Sequence, residues 1–154
     1  MKIIDNFLPA DRAEEMYQMV MNAEYNPAPY YDFEYTEVPK DNYFLSKEFA
    51  SQASSLMDIE VNSMRAEFIS RTCGEGSFDW HTDQMKNCEK ITVLYYINKA
   101  WDKTHGALLE FEDGTSVEPI FNRLILIDLK KQQLHRVTKN TSDNCRYALT
   151  GWLL

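Results

Sequence analysis

The sequence is poor in positive charge and has no long apolar run. Its 16 Lys and Arg residues stand against 24 Asp and Glu residues, and the net charge is −8. Because nucleic-acid binders normally carry a basic face, we expect no nucleic-acid partner. No apolar stretch approaches the length of a membrane span, and the first residues do not open an apolar signal-peptide core. We therefore expect no membrane partner either.

Cysteine is scarce as well. Cys73, Cys88 and Cys145 are the three cysteines, and neither their number nor their spacing indicates a disulfide framework or a metal site. We interpret them as ordinary small side chains in a reducing compartment, and we predict a cytoplasmic location.

Length and composition predict a single domain over residues 1–154. This length is usual for one domain, and a content of 44% hydrophobic and 13% aromatic residues can build a core. The sequence contains no repeat, linker or low-complexity tract, which agrees with one folding unit. Nothing in it indicates the oligomeric state.

The apolar pattern predicts a mostly β protein with helices near its N-terminus. Pro9 is suited to open a helix and Ser46 to cap a second one, and apolar residues recur at helical spacing after both. From residue 62 onward the spacing changes to two, which indicates short strands of a sandwich or barrel. The predicted strands lie near residues 3–7, 64–72, 91–98, 107–112, 115–118, 123–128, 134–138 and 145–153.

Two histidines and one carboxylate stand out as candidate metal ligands. His81, Asp83 and the distant His135 are the ligand set of a facial-triad iron site, which leaves the opposite face of the metal open for a cosubstrate and dioxygen. Residues i and i+2 of a strand point to the same side, so His81 and Asp83 are predicted to reach one ion from one strand. Arg146 opens the last predicted strand, where its guanidinium suits the far carboxylate of an organic diacid.

Several further motifs accompany these residues in a fixed order. They are the opening Ile3–Leu8, His81-Thr82-Asp83, the run Thr92–Asp102, Glu118-Pro119, Arg123-Leu124, His135-Arg136-Val137 and the run Arg146–Trp152. Together they make the stretch from about residue 68 to 152 similar to the iron- and 2-oxoglutarate-dependent dioxygenases of the prolyl 4-hydroxylase type. The similarity is greatest to the hypoxia-inducible-factor prolyl hydroxylases.

The resemblance implies a double-stranded β-helix, or jelly roll, and a hydroxylase. His81, Asp83 and His135 would hold Fe(II), and 2-oxoglutarate and dioxygen would be the cosubstrates. A prolyl residue in a protein or peptide is the favoured target. One departure is Asn122, which replaces the glycine usual before Arg123, although Asn tolerates positive φ better than most residues.

The resemblance also assigns a cosubstrate pocket. Arg146 and Tyr96 would bind the distal carboxylate of 2-oxoglutarate. Thr92 shares a strand face with Tyr96 and is expected to line the same pocket.

The stretch 30–45 is rich in tyrosine and acid and has no clear period. Two interpretations stay open, a surface stretch with aromatic anchors and a lid or substrate loop. In the second case its tyrosines would contact the substrate, and Trp80, Gln84 and Met85 are further candidates beside the opening. The candidate tyrosines are Tyr30, Tyr31, Tyr35 and Tyr43.

Other functions are compatible with the same residues. The substrate could be a free amino acid or another small molecule instead of a peptide. His81, His105 and His135 could form a three-histidine zinc site in a non-oxygenase cupin-like protein. A nucleic-acid demethylase on the same fold is disfavoured, because the charge is acidic and no second arginine follows Arg146 closely. A binding module without catalysis is disfavoured by the complete ligand set.

Overall fold

A computed structural model describes residues 1–83 and 88–154 and contains two antiparallel sheets. The larger sheet has the strand order β1-β9-β6-β11-β4-β3-β2 and the smaller one the order β5-β10-β7-β8. This confirms the predicted mostly β architecture of the jelly-roll type. The strands are β1 Lys2–Ile4, β2 Asn26–Pro27, β3 Glu34–Glu37, β4 Met64–Thr72, β5 Phe78–His81, β6 Ile91–Tyr96, β7 Leu109–Phe111, β8 Ser116–Val117, β9 Arg123–Asp128, β10 His135–Val137 and β11 Arg146–Leu153.

Two α-helices, α1 Ala10–Asn22 and α2 Lys47–Met57, occupy the predicted N-terminal part of the chain. Pro9 is the N-cap residue of α1, and the Ser46 side chain caps α2 by accepting a hydrogen bond from the backbone N–H of Phe49. The longer helix has 13 residues, and within the described residues neither helix is long and apolar enough to cross a membrane.

The central strand β6 explains how the core divides into two parts. All six of its residues are buried, because alternate side chains enter different clusters. Val93 and Tyr95 join the cluster formed with both helices. Leu94 and Tyr96 join the cluster between the two sheets, and this second face carries the candidate site.

Two features of the strands differ from the predicted pattern. The 30–45 stretch contributes a strand, β3, which lies between β4 and the edge strand β2 in the larger sheet. In addition, β5 ends at His81, so Asp83 lies two residues beyond the strand. The prediction that both ligands project from one strand is therefore wrong, and Asp83 reaches the site from the segment after it.

Candidate active site

The structure brings His81, Asp83 and His135 together. His81 lies opposite His135 in the pairing of β5 with β10. Oδ1 of Asp83 lies 3.9 Å from Nε2 of each histidine, and the ligand atoms of the three residues lie within 4.8 Å of one another. Among residues 1–83 and 88–154 this is the one such cluster of His, Cys, Asp and Glu side chains.

The backbone orients both imidazole rings. Nδ1 of His81 lies 2.7 Å from the carbonyl oxygen of Asp79, and Nδ1 of His135 lies 2.9 Å from that of Gln133. A carbonyl oxygen can only accept, so each Nδ1 carries the proton and each Nε2 lone pair is available to a metal. Burial lowers the pKa of His81 below its usual value, with His135 adding to the shift, and this favours the neutral, ligating form.

Thr92 contacts the metal cluster directly. Its hydroxyl donates a hydrogen bond of 2.5 Å to Oδ2 of Asp83, and the residue is 2% exposed. Thr92 lines the same cleft as Arg146, as the sequence predicted, and its hydroxyl in addition contacts a metal-ligand candidate.

Arg146 and Tyr96 form a separate buried pair. The Arg146 side chain donates to the Tyr96 hydroxyl, and both residues are buried. Nε of Arg146 has no hydrogen-bond partner, and no ion pair with a described carboxylate involves this guanidinium. A buried cation without an anion is costly, so the site fits an anionic ligand such as a carboxylate.

These groups lie in a cleft of about 960 Å³. The three metal-ligand candidates, Thr92 and Arg146 all contribute to its lining. Two neutral imidazoles and one carboxylate suit Fe(II), and the Arg146 guanidinium suits a dicarboxylate cosubstrate. The residues present therefore fit the metal and the cosubstrate that the sequence predicted.

Aromatic rings form one wall of the same cleft. The Phe78 ring lies 4.5 Å from that of His81 and is followed by rings at centroid distances of 5.4–6.3 Å. The sequence did not reveal this wall, because its members come from four separate segments. In order away from His81, the rings are Phe78, Tyr31, Phe33, Phe68 and Trp152.

The predicted substrate residues divide into two groups. Tyr31 and Tyr35 line the cleft. Tyr30 is fully exposed at the turn between β2 and β3 and has a φ of 69°, which is unusual for a bulky residue. Gln84 and Met85 lie outside the described residues.

The structure corrects the prediction of substrate contacts for two residues, Tyr43 and Trp80. Tyr43 packs against Phe44 and Phe49 beside the helices. Trp80 alternates away from His81 along β5 and lines a different cavity, of about 540 Å³. There the guanidinium of Arg136 lies 4.7 Å from its ring centroid.

His105 lies outside the metal cluster. Its ring lies 5.3 Å from that of Trp101, and its Nε2 lies 3.7 Å from a carboxylate oxygen of Asp102. The structure therefore does not assemble the alternative site made of three histidines.

The cysteines also differ from expectation. Cys73 and Cys145 form a disulfide that links residues 72 positions apart, while Cys88 is free and exposed. Strand pairing brings the two cysteines together, because Thr72 lies opposite Arg146 in the pairing of β4 with β11. The interpretation as ordinary small side chains is therefore wrong for Cys73 and Cys145, and the cytoplasmic location stays a prediction.

Comparisons with known proteins agree with this geometry. Residues 68–154 match the model of the 2OG-Fe(II) oxygenase superfamily. A 68-residue stretch is 43% identical to prolyl hydroxylase EGLN3 of Homo sapiens. The matched stretch covers 40% of this chain and 28% of that protein. The match thus spans less than a third of the relative's length.

Solved structures share the fold over nearly the whole chain. A prolyl hydroxylase from Trichoplax adhaerens, in complex with a hypoxia-inducible-factor peptide fragment, has a TM-score of 0.80 at 21% identity and covers 99% of this chain and 82% of that one. A prolyl-4-hydroxylase from Pseudomonas putida has a TM-score of 0.74 at 19% identity, covering 99% and 90%. Because the family model matches more than half of the chain, this protein belongs to the 2OG-Fe(II) oxygenase superfamily.

Proposed function

We propose that this domain hydroxylates a C–H bond of a prolyl residue in a protein or peptide, with Fe(II), 2-oxoglutarate and dioxygen. The observation that carries the proposal is the joint presence, in one cleft, of the His81, Asp83 and His135 cluster and of a buried Arg146 without an anionic partner among the described residues. When bound, the metal and cosubstrate would supply the oxidative chemistry, in which one oxygen atom of dioxygen enters the substrate and the other enters succinate.

The residues of the chain have distinct tasks in this proposal. Nε2 of each histidine and Oδ1 of Asp83 face one another and would hold the metal. Arg146 would bind the distal carboxylate of 2-oxoglutarate through its guanidinium, with the Tyr96 hydroxyl beside it. Arg146 and Tyr96 would thereby give the cosubstrate a fixed, buried anchor.

The aromatic wall supports an extended, partly apolar substrate. Its rings run from Phe78, beside the metal ligand His81, to Trp152 on β11. Aromatic faces suit the apolar ring of proline, and these rings line the cleft that also contains the candidate metal ligands. The names of the similar proteins, which are prolyl hydroxylases, favour a prolyl target over a free amino acid or another small molecule.

The test is turnover of 2-oxoglutarate to succinate with Fe(II), measured with and without proline-containing peptides. We expect peptides to raise turnover above the background and to gain one oxygen atom by mass spectrometry. The His135→Ala variant is the matched negative control, since it removes one candidate ligand.

Two results would change the assignment. Stimulation by a free amino acid or another metabolite, with no hydroxylated peptide, would move the protein to the small-molecule class. Tight zinc binding without any 2-oxoglutarate turnover would favour the cupin-like alternative.

A further inference from the structure

The two carboxylate oxygens of Asp83 have different partners. Oδ1 lies at the same distance, 3.9 Å, from Nε2 of His81 and Nε2 of His135. Oδ2 accepts the 2.5 Å hydrogen bond from the Thr92 hydroxyl. The carboxylate is therefore oriented so that one oxygen faces the other candidate ligands while the second oxygen is hydrogen-bonded to Thr92.

Thr92 is a rigid donor. It lies in β6, between Trp152 of β11 and Ile127 of β9 in the strand pairing, and it is almost fully buried. Its branched side chain has few rotamers. Asp83, in contrast, lies beyond the end of β5, so the strand ladder does not orient its side chain.

We propose that Thr92 is a positioning residue that makes Asp83 ligate the metal through a single oxygen. A hydrogen bond to an ionised carboxylate is short and strong, and it keeps Oδ2 from becoming a second ligand atom. Single-oxygen ligation preserves the open face that a facial-triad site offers to cosubstrate and dioxygen. The inference rests on the proposed function, because it requires the metal site.

The experiment compares Thr92→Val, which keeps the side-chain shape but removes the hydroxyl, with Thr92→Ser, which keeps the hydroxyl. Thr36→Val is the matched control, because Thr36 undergoes the same change on β3 and does not line the cleft. The probe is Co(II) under anaerobic conditions, read by its dissociation constant and by its visible absorption, which reports coordination number.

We expect Thr92→Val to weaken Co(II) binding roughly 10-fold or more, the usual effect of losing a hydrogen bond to a metal ligand. We also expect a changed Co(II) spectrum, since Asp83 becomes free to ligate through both oxygens. Thr92→Ser and Thr36→Val should resemble the unmodified protein in both measurements. If Thr92→Val does not fold, Thr92→Ala against Thr92→Ser makes the same comparison.

Co(II) affinity and spectrum unchanged in Thr92→Val would overturn the inference. A raised Michaelis constant for 2-oxoglutarate with unchanged Co(II) binding would overturn it too, and would identify Thr92 as a direct cosubstrate contact. If the unmodified protein bound no Co(II) in a His135-dependent way, the proposed metal site would fail and this inference with it.

Discussion

Nη2 of Arg146 donates a hydrogen bond of 3.2 Å to the hydroxyl of Tyr96, and both side chains are buried in the domain. The arginine carbon at the centre of the guanidinium also lies 5.0 Å from the centroid of the tyrosine ring. Tyr96 thus contacts the guanidinium through both its hydroxyl and its ring, and it leaves the positive charge without a neutralising partner. The pair is prepared for an anion in advance of binding, which lowers the ordering cost of the ligand.

Removal of this cation should affect the cosubstrate and not the metal. We predict that Arg146→Ala weakens 2-oxoglutarate binding by roughly 2–5 kcal/mol, the usual cost of truncating one partner of a buried charge pair. Steady-state kinetics with varied 2-oxoglutarate measures the effect, and Co(II) affinity should stay near normal. Arg136→Ala is the control, because Arg136 pairs with Glu110 outside the cleft. An unchanged Michaelis constant in Arg146→Ala would remove the assignment.

Metal binding should tolerate mildly acidic conditions. Burial lowers the pKa of His81 below its usual value of about 6.5, and a protonated imidazole cannot ligate. Protons therefore compete with the metal for His81 at a lower pH than they would for a free imidazole, so Co(II) affinity should fall with a midpoint below about 6.5. The free energy of unfolding should also fall as the pH drops, because the unfolded state takes up the proton at a higher pH than the folded state does. Loss of affinity with a midpoint above 6.5 would contradict this prediction.

Asn122 should be important for stability although it is distant from the chemistry. Its Oδ1 accepts hydrogen bonds from the Leu8 N–H and the Tyr95 hydroxyl, and its Nδ2 donates to the Leu8 carbonyl. We predict that Asn122→Gly lowers the free energy of unfolding by roughly 3 kcal/mol or more, since each buried group left unpaired costs about 1–3 kcal/mol. Glycine keeps the backbone φ of 59°, so the loss reports the side chain.

Denaturant unfolding measures this effect, and Asn6→Gly is its matched control. Asn6 also has a positive φ, 52°, but its side chain is exposed. We expect the Asn6 variant to unfold within about 0.5 kcal/mol of the unmodified protein. Equal losses in both variants would show that the backbone conformation, and not the buried hydrogen bonds, is responsible.

The disulfide should stabilise the domain and support the cosubstrate pocket. Closing a loop between residues 72 positions apart removes unfolded-state entropy worth about 4 kcal/mol in the chain-entropy model. We predict a loss of up to about that size in a Cys73→Ser/Cys145→Ser variant. Because Arg146 directly follows Cys145, 2-oxoglutarate affinity should also fall.

Denaturant unfolding and 2-oxoglutarate kinetics measure the two effects, and Cys88→Ser is the control with an exposed free thiol. Thiol titration of the unfolded, unreduced protein should find one free cysteine. Three free thiols would contradict the disulfide, and they would agree with the rarity of disulfides in the predicted cytoplasmic location.

The turn between β2 and β3 should contribute to substrate binding. Tyr31 stacks between Phe78 and Phe33, lines the cleft and is about half exposed, so part of its side chain is accessible to a bound substrate. We predict that Tyr31→Ala lowers peptide-stimulated turnover and spares the background turnover of 2-oxoglutarate. Tyr43→Phe is the control, because Tyr43 lies outside the cleft. Equal loss of stimulated and background rates would argue for a structural role instead.

Part of this site could be predicted from the sequence because the informative residues are rare and ordered. The chain has three histidines. Two of them, together with Asp83 and Arg146, follow the order that is typical of the family, and this order can be recognised without any knowledge of contacts. The helix starts at Pro9 and Ser46 could also be predicted from the sequence, because capping depends on residues only a few positions apart.

Only the tertiary structure decided which side chains meet across strands. A period of two tells which residues share a face of one strand, but it does not tell which strand lies beside it. No local signal in the sequence indicates that the Thr92 hydroxyl contacts Asp83 or that Cys73 pairs with Cys145. The same is true of the positions of Trp80 and Tyr43 outside the cleft. These contacts depend on strand pairing between distant segments, and pairing is decided by the burial of the whole sheet and not by any one stretch of sequence.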